Sequence, residues 1–301
     1  MALHEELVRA PAKVNLRLRI VGKRSDGYHL IDSLMVPINL CDELCVTVHL
    51  PPPTAIARTI SVRTDSAQLP ADTDNLAYRA AEVFMAAAKS DEFAVDIEIR
   101  KRIPIGSGLG GGSSDAAAVL LMLNRALGSP LESDRLAAVG ASIGADVPFF
   151  LYGRPARVTG IGERVVPTEL GPPLNLVVCS DGYTLSTGLV YSYVTEAAHS
   201  LTSAPPVSNI PDFVEGRKPF TDLLVNDLEE AAAQIHPGVL SLKARIMAEG
   251  AQAALMSGSG SAVFGVWADL KSAVAAAARL RRRGLWAEAA QTLERSPALR
   301  N

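Results

Sequence analysis

From Lys13 to Ile20 the chain alternates strictly, with Val14, Leu16, Leu18 and Ile20 on one side and Lys13, Asn15, Arg17 and Arg19 on the other. A period of two predicts a half-buried β-strand whose polar face carries Lys13 and Asn15 side by side. The next stretch, "GKRSDGYH", breaks the alternation with glycines and an aspartate and predicts a turn. Strand-like runs come next at Leu44 to Leu50 and, after the triple-proline turn at Pro51 to Pro53, at Ala55 to Arg63. Asp72 to Asp74 offer caps for a helix in which Leu76, Ala80, Val83 and Phe84 recur at helical spacing. Ala94 to Arg100 predicts another strand. A glycine-rich stretch succeeds it, and Ser113, Ser114 and Asp115 then have the side chains that cap a helix, here an alanine- and leucine-rich one running to about Leu127. Gly128 and Pro130 stop it, and Ser133 caps a further helix that ends at Gly144. The apolar run "ADVPFFLYG" predicts a short strand containing Phe149 and Tyr152, with Asp146 between it and the preceding helix.

A proline- and glycine-rich break at Pro167 to Pro173 marks a domain boundary, dividing the chain into residues 1–166 and 167–301. Beyond it the pattern reads strand (Leu174 to Cys179), several helices, strand (Gln252 to Met256), the turn "SGSG", strand (Ser261 to Trp267), helix, and a last strand near Leu285. That order fits a βαββαβ half with helices on one face of an antiparallel sheet, within an α+β protein. The stretch from Ser203 to Asp212 reads as a surface loop.

At 301 residues the chain has ample apolar content for two cores. Its formal charge of −3 supplies no general field for a nucleic-acid backbone, so no nucleic acid is expected as a partner. The arginine run from Arg279 to Arg283 reads as a solvated helix end. Cys41, Cys45 and Cys179 are few and odd in number, which is cytosolic usage. Cys41, Cys45 and His49 recur at four-residue spacing without a fourth ligand and on a strand-like pattern, so no metal site is assigned to them. The opening "MALHEELVRA" is acidic and no later run reaches spanning length, so a soluble cytoplasmic protein without membrane partners is expected. No heptad or long apolar stripe announces an oligomer, whose state stays open.

The chemistry is concentrated in "RIPIGSGLGGGSSDAAAVLLML", which begins at Arg102. Glycines let a backbone approach a ligand, and a helix start presents unpaired N–H groups and a positive dipole end, which suits a polyphosphate. Gly106, Gly108 and Gly111 satisfy G-x-G-x-x-G. Yet Lys101, Arg102 and Pro104 separate them from the strand, and the helix after the loop is succeeded by another helix, unlike a dinucleotide fold. No lysine comes after the glycines as in a P-loop, and protein-kinase signatures are missing.

"PIGSGLGGGSSDAA" resembles instead the glycine/serine motif of the GHMP small-molecule kinases, the group of galactokinase, homoserine kinase, mevalonate kinase and phosphomevalonate kinase. "APAKVNLRL" near the N-terminus and "MSGSGSAVFG" near the C-terminus agree in order. Within the group, "GKRSDGYHLIDSLM", "GADVPFF" and "LLVNDLE" are most similar to the branch that phosphorylates a cytidine-diphosphate-linked methylerythritol. The resemblance implies an S5-domain-2-like N-terminal domain, a ferredoxin-like C-terminal domain, ATP and Mg²⁺ as cofactors, and transfer to the 2-hydroxyl of that polyol, a step of non-mevalonate isoprenoid synthesis. It places Asp146 as the base and Lys13 as its partner. It sets Asn75 and Lys101 beside the adenine, with Pro104 and the loop of Gly106, Ser107, Gly108, Leu109, Gly110, Gly111, Gly112, Ser113 and Ser114 around the phosphates. For the acceptor it implies Tyr28 and Tyr191 on the two faces of cytosine and His29 at its edge, with Asn15 and Thr187 as polar contacts. Magnesium is implied by the nucleotide, and no protein ligand is assigned to it. Two other readings stay open: another small alcohol such as mevalonate, homoserine or a sugar as acceptor, and a nucleotide-binding regulator without activity.

Overall fold

In the computed structural model, residues 2–49, 60–88, 93–194 and 223–299 are described. The Pro51 to Pro53 turn, the first part of the strand expected from Ala55, and the loop expected from Ser203 to Asp212 lie outside them.

A long hairpin of β1 (Ala2–Lys23) and β2 (His29–His49) forms the spine. The glycine–aspartate turn closes it, with the Arg24 N–H on the Tyr28 carbonyl at 2.7 Å. β2 is long enough to serve two partners. Its C-terminal part pairs with β4 (Ala94–Arg100), which in turn pairs with β3 (Ile60–Thr64). Its N-terminal part pairs with β5 (Ala156–Gly160), which continues into β6 (Arg164–Pro167). Helices α1 (Leu76–Ala88), α2 (Gly111–Ala126), α3 (Ser133–Ile143) and α4 (Val147–Tyr152) cover one face of this sheet. Phe84, Phe93 and Phe149 are fully buried there, each contributing about 1.5–3 kcal/mol of burial.

The second sheet has the order β11-β7-β10-β9, antiparallel throughout: β7 (Asn175–Ser180), β9 (Ala253–Met256), β10 (Val263–Trp267) and β11 (Trp286–Gln291). Helices α5 (Thr187–Ser192), α6 (Glu229–Ile235), α7 (Gly238–Ala248) and α8 (Leu270–Arg282) complete this half, and its outer face is covered by α6, α7 and α8. Between β7 and β11 the order is the βαββαβ one, a ferredoxin-like arrangement. The inner faces of the two sheets meet in a core of Val14, Leu16, Leu34 and Val36 against Leu176, Val178 and Phe264. A two-residue strand of the later chain, β8 (Val225–Asn226), returns to pair in parallel with Arg17 and Leu18 of β1.

This layering corrects the half-buried reading of β1. Lys13, Asn15 and Arg17 are all buried; Gly110 of the glycine loop packs against Lys13 and against Phe150 of α4, and a bulge separates Asn15 from Arg17. The segment "VPFFLY" is helix rather than strand: Pro148 sits in its first turn, where a missing N–H costs nothing, and Gly153 ends it in a left-handed conformation. Strands β5 and β6 come after it, at positions where the local pattern announces no strand. The capping residues also differ. α2 begins at Gly111 with Gly110 as its N-cap, so Ser113, Ser114 and Asp115 lie inside the helix, and Ser133 is the first residue of α3 after Glu132.

Candidate active site

The glycine loop runs from Pro104 to the start of α2 and is wedged between three neighbours, each requiring the absence of a side chain. A Cβ on Gly108 (φ +79) would overlap the carbonyl oxygen of Ser257 and come within 2.9 Å of the Gly260 nitrogen. One on Gly110 (φ +74) would stand 2.9 Å from the Phe150 ring and 3.1 Å from Lys13 Cγ. Both conformations are left-handed, which favours glycine independently of space. Hydrogen bonds lock the packing: the Lys13 N–H donates to the Leu109 carbonyl (2.9 Å), the Ala262 N–H to the Ser107 carbonyl (3.0 Å), and the Ser257 hydroxyl to the Gly108 carbonyl (3.1 Å). The loop carbonyls thus face protein. The N–H groups of Gly106, Gly108 and Gly110 through Ser113 donate to no acceptor among the described residues.

The loop residues from Gly106 through Ser113, all but Leu109, line a cavity of about 550 Å³, together with Lys13, Asn15, Asn75, Lys101, Asp146, Thr187, Tyr191 and Ser259. Asp146 stands at the N-cap position of α4 but makes no capping hydrogen bond with its side chain. The carboxylate, about one-third exposed, points instead toward the Lys13 ammonium at 3.9 Å. Burial pushes the Lys13 ammonium below its ordinary pKa, and Asp146 opposes that shift. The Lys13 Nζ also donates to Asn15 Oδ1 at 2.5 Å. Asn15 Nδ2 donates to the Ser33 hydroxyl at 2.8 Å, and that hydroxyl to the Arg17 carbonyl at 2.7 Å. Asn15 therefore reaches the cavity wall with its oxygen already on Lys13, and it orients the lysine. The second glycine turn, Ser257 to Gly260, is held from below by Asn226, whose Nδ2 donates to the Met256 and Gly258 carbonyls, both at 2.8 Å.

Two members of the loop depart from the expectation that it lines the phosphates throughout. The Leu109 side chain is fully buried in the inter-sheet core, where an apolar group is more stable than at a polar wall. Ser114 turns inward on α2, so of this adjacent pair only Ser113 reaches the cavity, where Ser107 of the loop also lies. Asn75 lines the cavity while its amide caps α1, accepting from the Ala77 N–H at 2.9 Å and donating to the Pro70 carbonyl at 2.7 Å. Lys101 lines it too, but its ammonium is bound by Asp42 and Asp115. Burial works against the Lys101 charge, and the two carboxylates outweigh it and raise its pKa. Burial likewise pushes Asp115 up to about 7, against the pull of Lys101.

A second cavity of about 600 Å³ shares Ala145, Ile161, Thr187 and Tyr191 with the first and extends past Tyr28 and His29. His29 stacks on Tyr191, with ring centroids 5.2 Å apart and planes inclined by 27°. Tyr28 stands 60% exposed at the rim, and the Thr187 hydroxyl meets that of Ser259 at 2.9 Å. Ala145 and Ile161, which join the two cavities, and Gln68, Leu69 and Leu76 beside Asn75 have no signal in the sequence; they sit in or next to irregular segments, where apolar periodicity says nothing about which way a residue faces.

Open amides beside a lysine–aspartate pair, in a cleft between an α/β layer and a ferredoxin-like layer, define a small-molecule kinase of the GHMP class. The model of the GHMP kinases N terminal domain matches residues 75–154 and that of the GHMP kinases C terminal domain residues 207–284. Within that class the chain belongs to the 4-diphosphocytidyl-2-C-methyl-D-erythritol kinase family. It is 40% identical over 285 residues to the kinase of that name from Geobacter sp. (strain M21), across 94% of this chain and 98% of the relative. A crystal structure of 4-(cytidine 5'-diphospho)-2C-methyl-D-erythritol kinase superposes with a TM-score of 0.77 at 37% identity, covering 96% of this chain and 99% of that one. The homoserine kinase of Cytophaga hutchinsonii shares the fold, with a TM-score of 0.72 at 17% identity over 98% of this chain and 96% of its own.

Proposed function

We propose that the protein transfers the γ-phosphoryl group of ATP to the 2-hydroxyl of 4-(cytidine 5'-diphospho)-2-C-methyl-D-erythritol, a step of the methylerythritol phosphate route to isoprenoid precursors. The observation that carries this reading is the set of N–H groups without a protein acceptor at Gly106, Gly108 and Gly110 through Ser113, on the cavity wall beside the Lys13–Asp146 pair. Asp146 accepts the hydroxyl proton as the new oxygen–phosphorus bond forms and the bond to the ADP oxygen breaks. Lys13, held by Asn15, places a cation where charge develops, and the loop amides bind the phosphate oxygens without having to reorganise.

The donors around the cavity fit magnesium carried by the nucleotide. Among the described residues no three metal-binding side chains gather, and Asp146 with the Ser113 hydroxyl can complement phosphate oxygens and water. When bound, the ion neutralises phosphate charge. Residues 1–166 supply the nucleotide site and residues 167–301 the facing wall of the acceptor cavity, with Thr187 and Tyr191. No helix among the described residues is long and apolar enough to cross a membrane, and the three free cysteines fit a reducing cytoplasm.

In the acceptor cavity the cytosine enters between Tyr28 and Tyr191, displacing His29 from the Tyr191 face to the base edge. A base stacked on an aromatic ring gains about 1–3 kcal/mol, so Tyr28→Ala should raise KM for the acceptor by about 5- to 150-fold and leave KM for ATP nearly unchanged. Equal rises for both would show that the ring serves folding instead. The function itself is tested by mixing protein, MgATP and a panel of acceptors and monitoring ADP release. Turnover is expected with the cytidyl polyol; turnover with mevalonate or homoserine and none with the cytidyl compound would overturn the assignment.

A further inference from the structure

Behind the glycine loop lies a group of charges that the phosphoryl transfer itself does not use. Asp42 is fully buried on β2. Its neighbour Glu43 is the first residue of β2 to pair with β4, opposite Arg100, so Asp42 stands one step before the start of that ladder. Its side chain takes two N–H groups of the chain just past β4. Asp42 Oδ1 accepts from the N–H of Arg102 at 2.6 Å and of Ile103 at 2.9 Å, while Oδ2 accepts from the Lys101 ammonium. The Lys101 N–H is bound in turn by Asp65 Oδ1 at 2.9 Å. On its other side the Lys101 ammonium donates to Asp115 Oδ2 at 2.8 Å, within α2.

Residues 101–103 enter the glycine loop and Asp115 lies just past its exit, so Asp42 and Lys101 tie the two ends together. The ends touch: a Cβ on Gly111 would lie 3.0 Å from the Ile103 side chain and 3.3 Å from Lys101 Nζ. Two buried carboxylates around one ammonium are an expensive way to fill a core, since apolar residues of similar volume often do so at no loss of stability. They do, however, fix a direction, because charge-assisted bonds are short and geometrically demanding.

We propose that Asp42 is a positioning residue for nucleotide binding: it closes the base of the glycine loop and thereby sets the spacing of the amides that face the phosphates. This rests on the proposed role of that loop in holding ATP. Asp42→Asn keeps an oxygen for the two N–H groups and removes the charge that holds Lys101. Binding of MgATP is measured by equilibrium dialysis alongside KM for both substrates and kcat. Loss of a charge-assisted hydrogen bond predicts a rise of about tenfold or more in Kd and KM for ATP, with KM for the acceptor and kcat at saturating ATP nearly unchanged. Asp42→Glu, which keeps the charge but displaces it by one methylene, should give a smaller rise in the same parameter. An unchanged ATP affinity in Asp42→Asn, or equal rises for the two substrates, would remove the role. If both variants fail to fold, Asp42 serves folding alone and the proposal falls. Wild-type protein that binds no MgATP would sink the kinase reading itself, a result distinct from wild-type and variant binding it equally.

Discussion

Replacing Asp146 by Asn should lower kcat by about 10²- to 10⁴-fold while KM for ATP stays within a few-fold. The amide keeps the size of the side chain and its place at the start of α4, where the carboxylate makes no cap whose loss would loosen the helix. What disappears is the proposed proton acceptor and the counter-charge 3.9 Å from the Lys13 ammonium. Burial already pulls the Lys13 pKa down and Asp146 resists that pull, so the substitution should lower the pKa further. Steady-state kinetics at saturating concentrations of both substrates check the result. A variant with normal turnover would take Asp146 out of the mechanism.

Lys13→Met should lower kcat by about 10²- to 10³-fold, the usual range for removing one group that stabilises developing charge. Methionine retains the stem that packs near Gly110 and leaves Asn15 and Asp146 without the cation. In the proposed mechanism Lys13 and Asp146 act on the same transferring group, so the two losses should not multiply. The Lys13→Met, Asp146→Asn double variant should retain close to the activity of the weaker single variant. Multiplicative losses in the double variant would mean that the two residues act at separate steps.

The same pair marks how far local pattern reaches. Alternation from Lys13 to Ile20 is sufficient to place a strand and to set Lys13 and Asn15 on one face, because side chains alternate across any strand. It cannot tell that this face is buried. For Lys13 the cover is Gly110 of the glycine loop, itself packed on Phe150 of α4, and these arrive from more than eighty residues further along the chain. The run "VPFFLY" reads wrongly as a strand for a related reason. Six consecutive apolar residues have no visible period, and the choice of helix is made by Phe149 and Phe150 packing against the other helices of that layer. By local pattern alone, the charged run Arg100 to Arg102 reads only as the end of a strand and the approach to the glycine loop. Lys101 in its middle is buried between Asp42 and Asp115, acids 59 and 14 residues away in sequence.

The sequence by itself determined the glycine loop, the helix after it and the βαββαβ order of the second half. Positive φ, apolar period and motif order are properties of short stretches, and they survive being read one stretch at a time. The tertiary structure alone decided which loop carbonyls are tied down and which amides stay open, that Asn15 orients Lys13, and that His29 lies on Tyr191. Those outcomes depend on backbones and side chains from distant segments approaching within about 3–5 Å, the range over which hydrogen bonds and ring contacts act, and distance in space is not written in the order of residues.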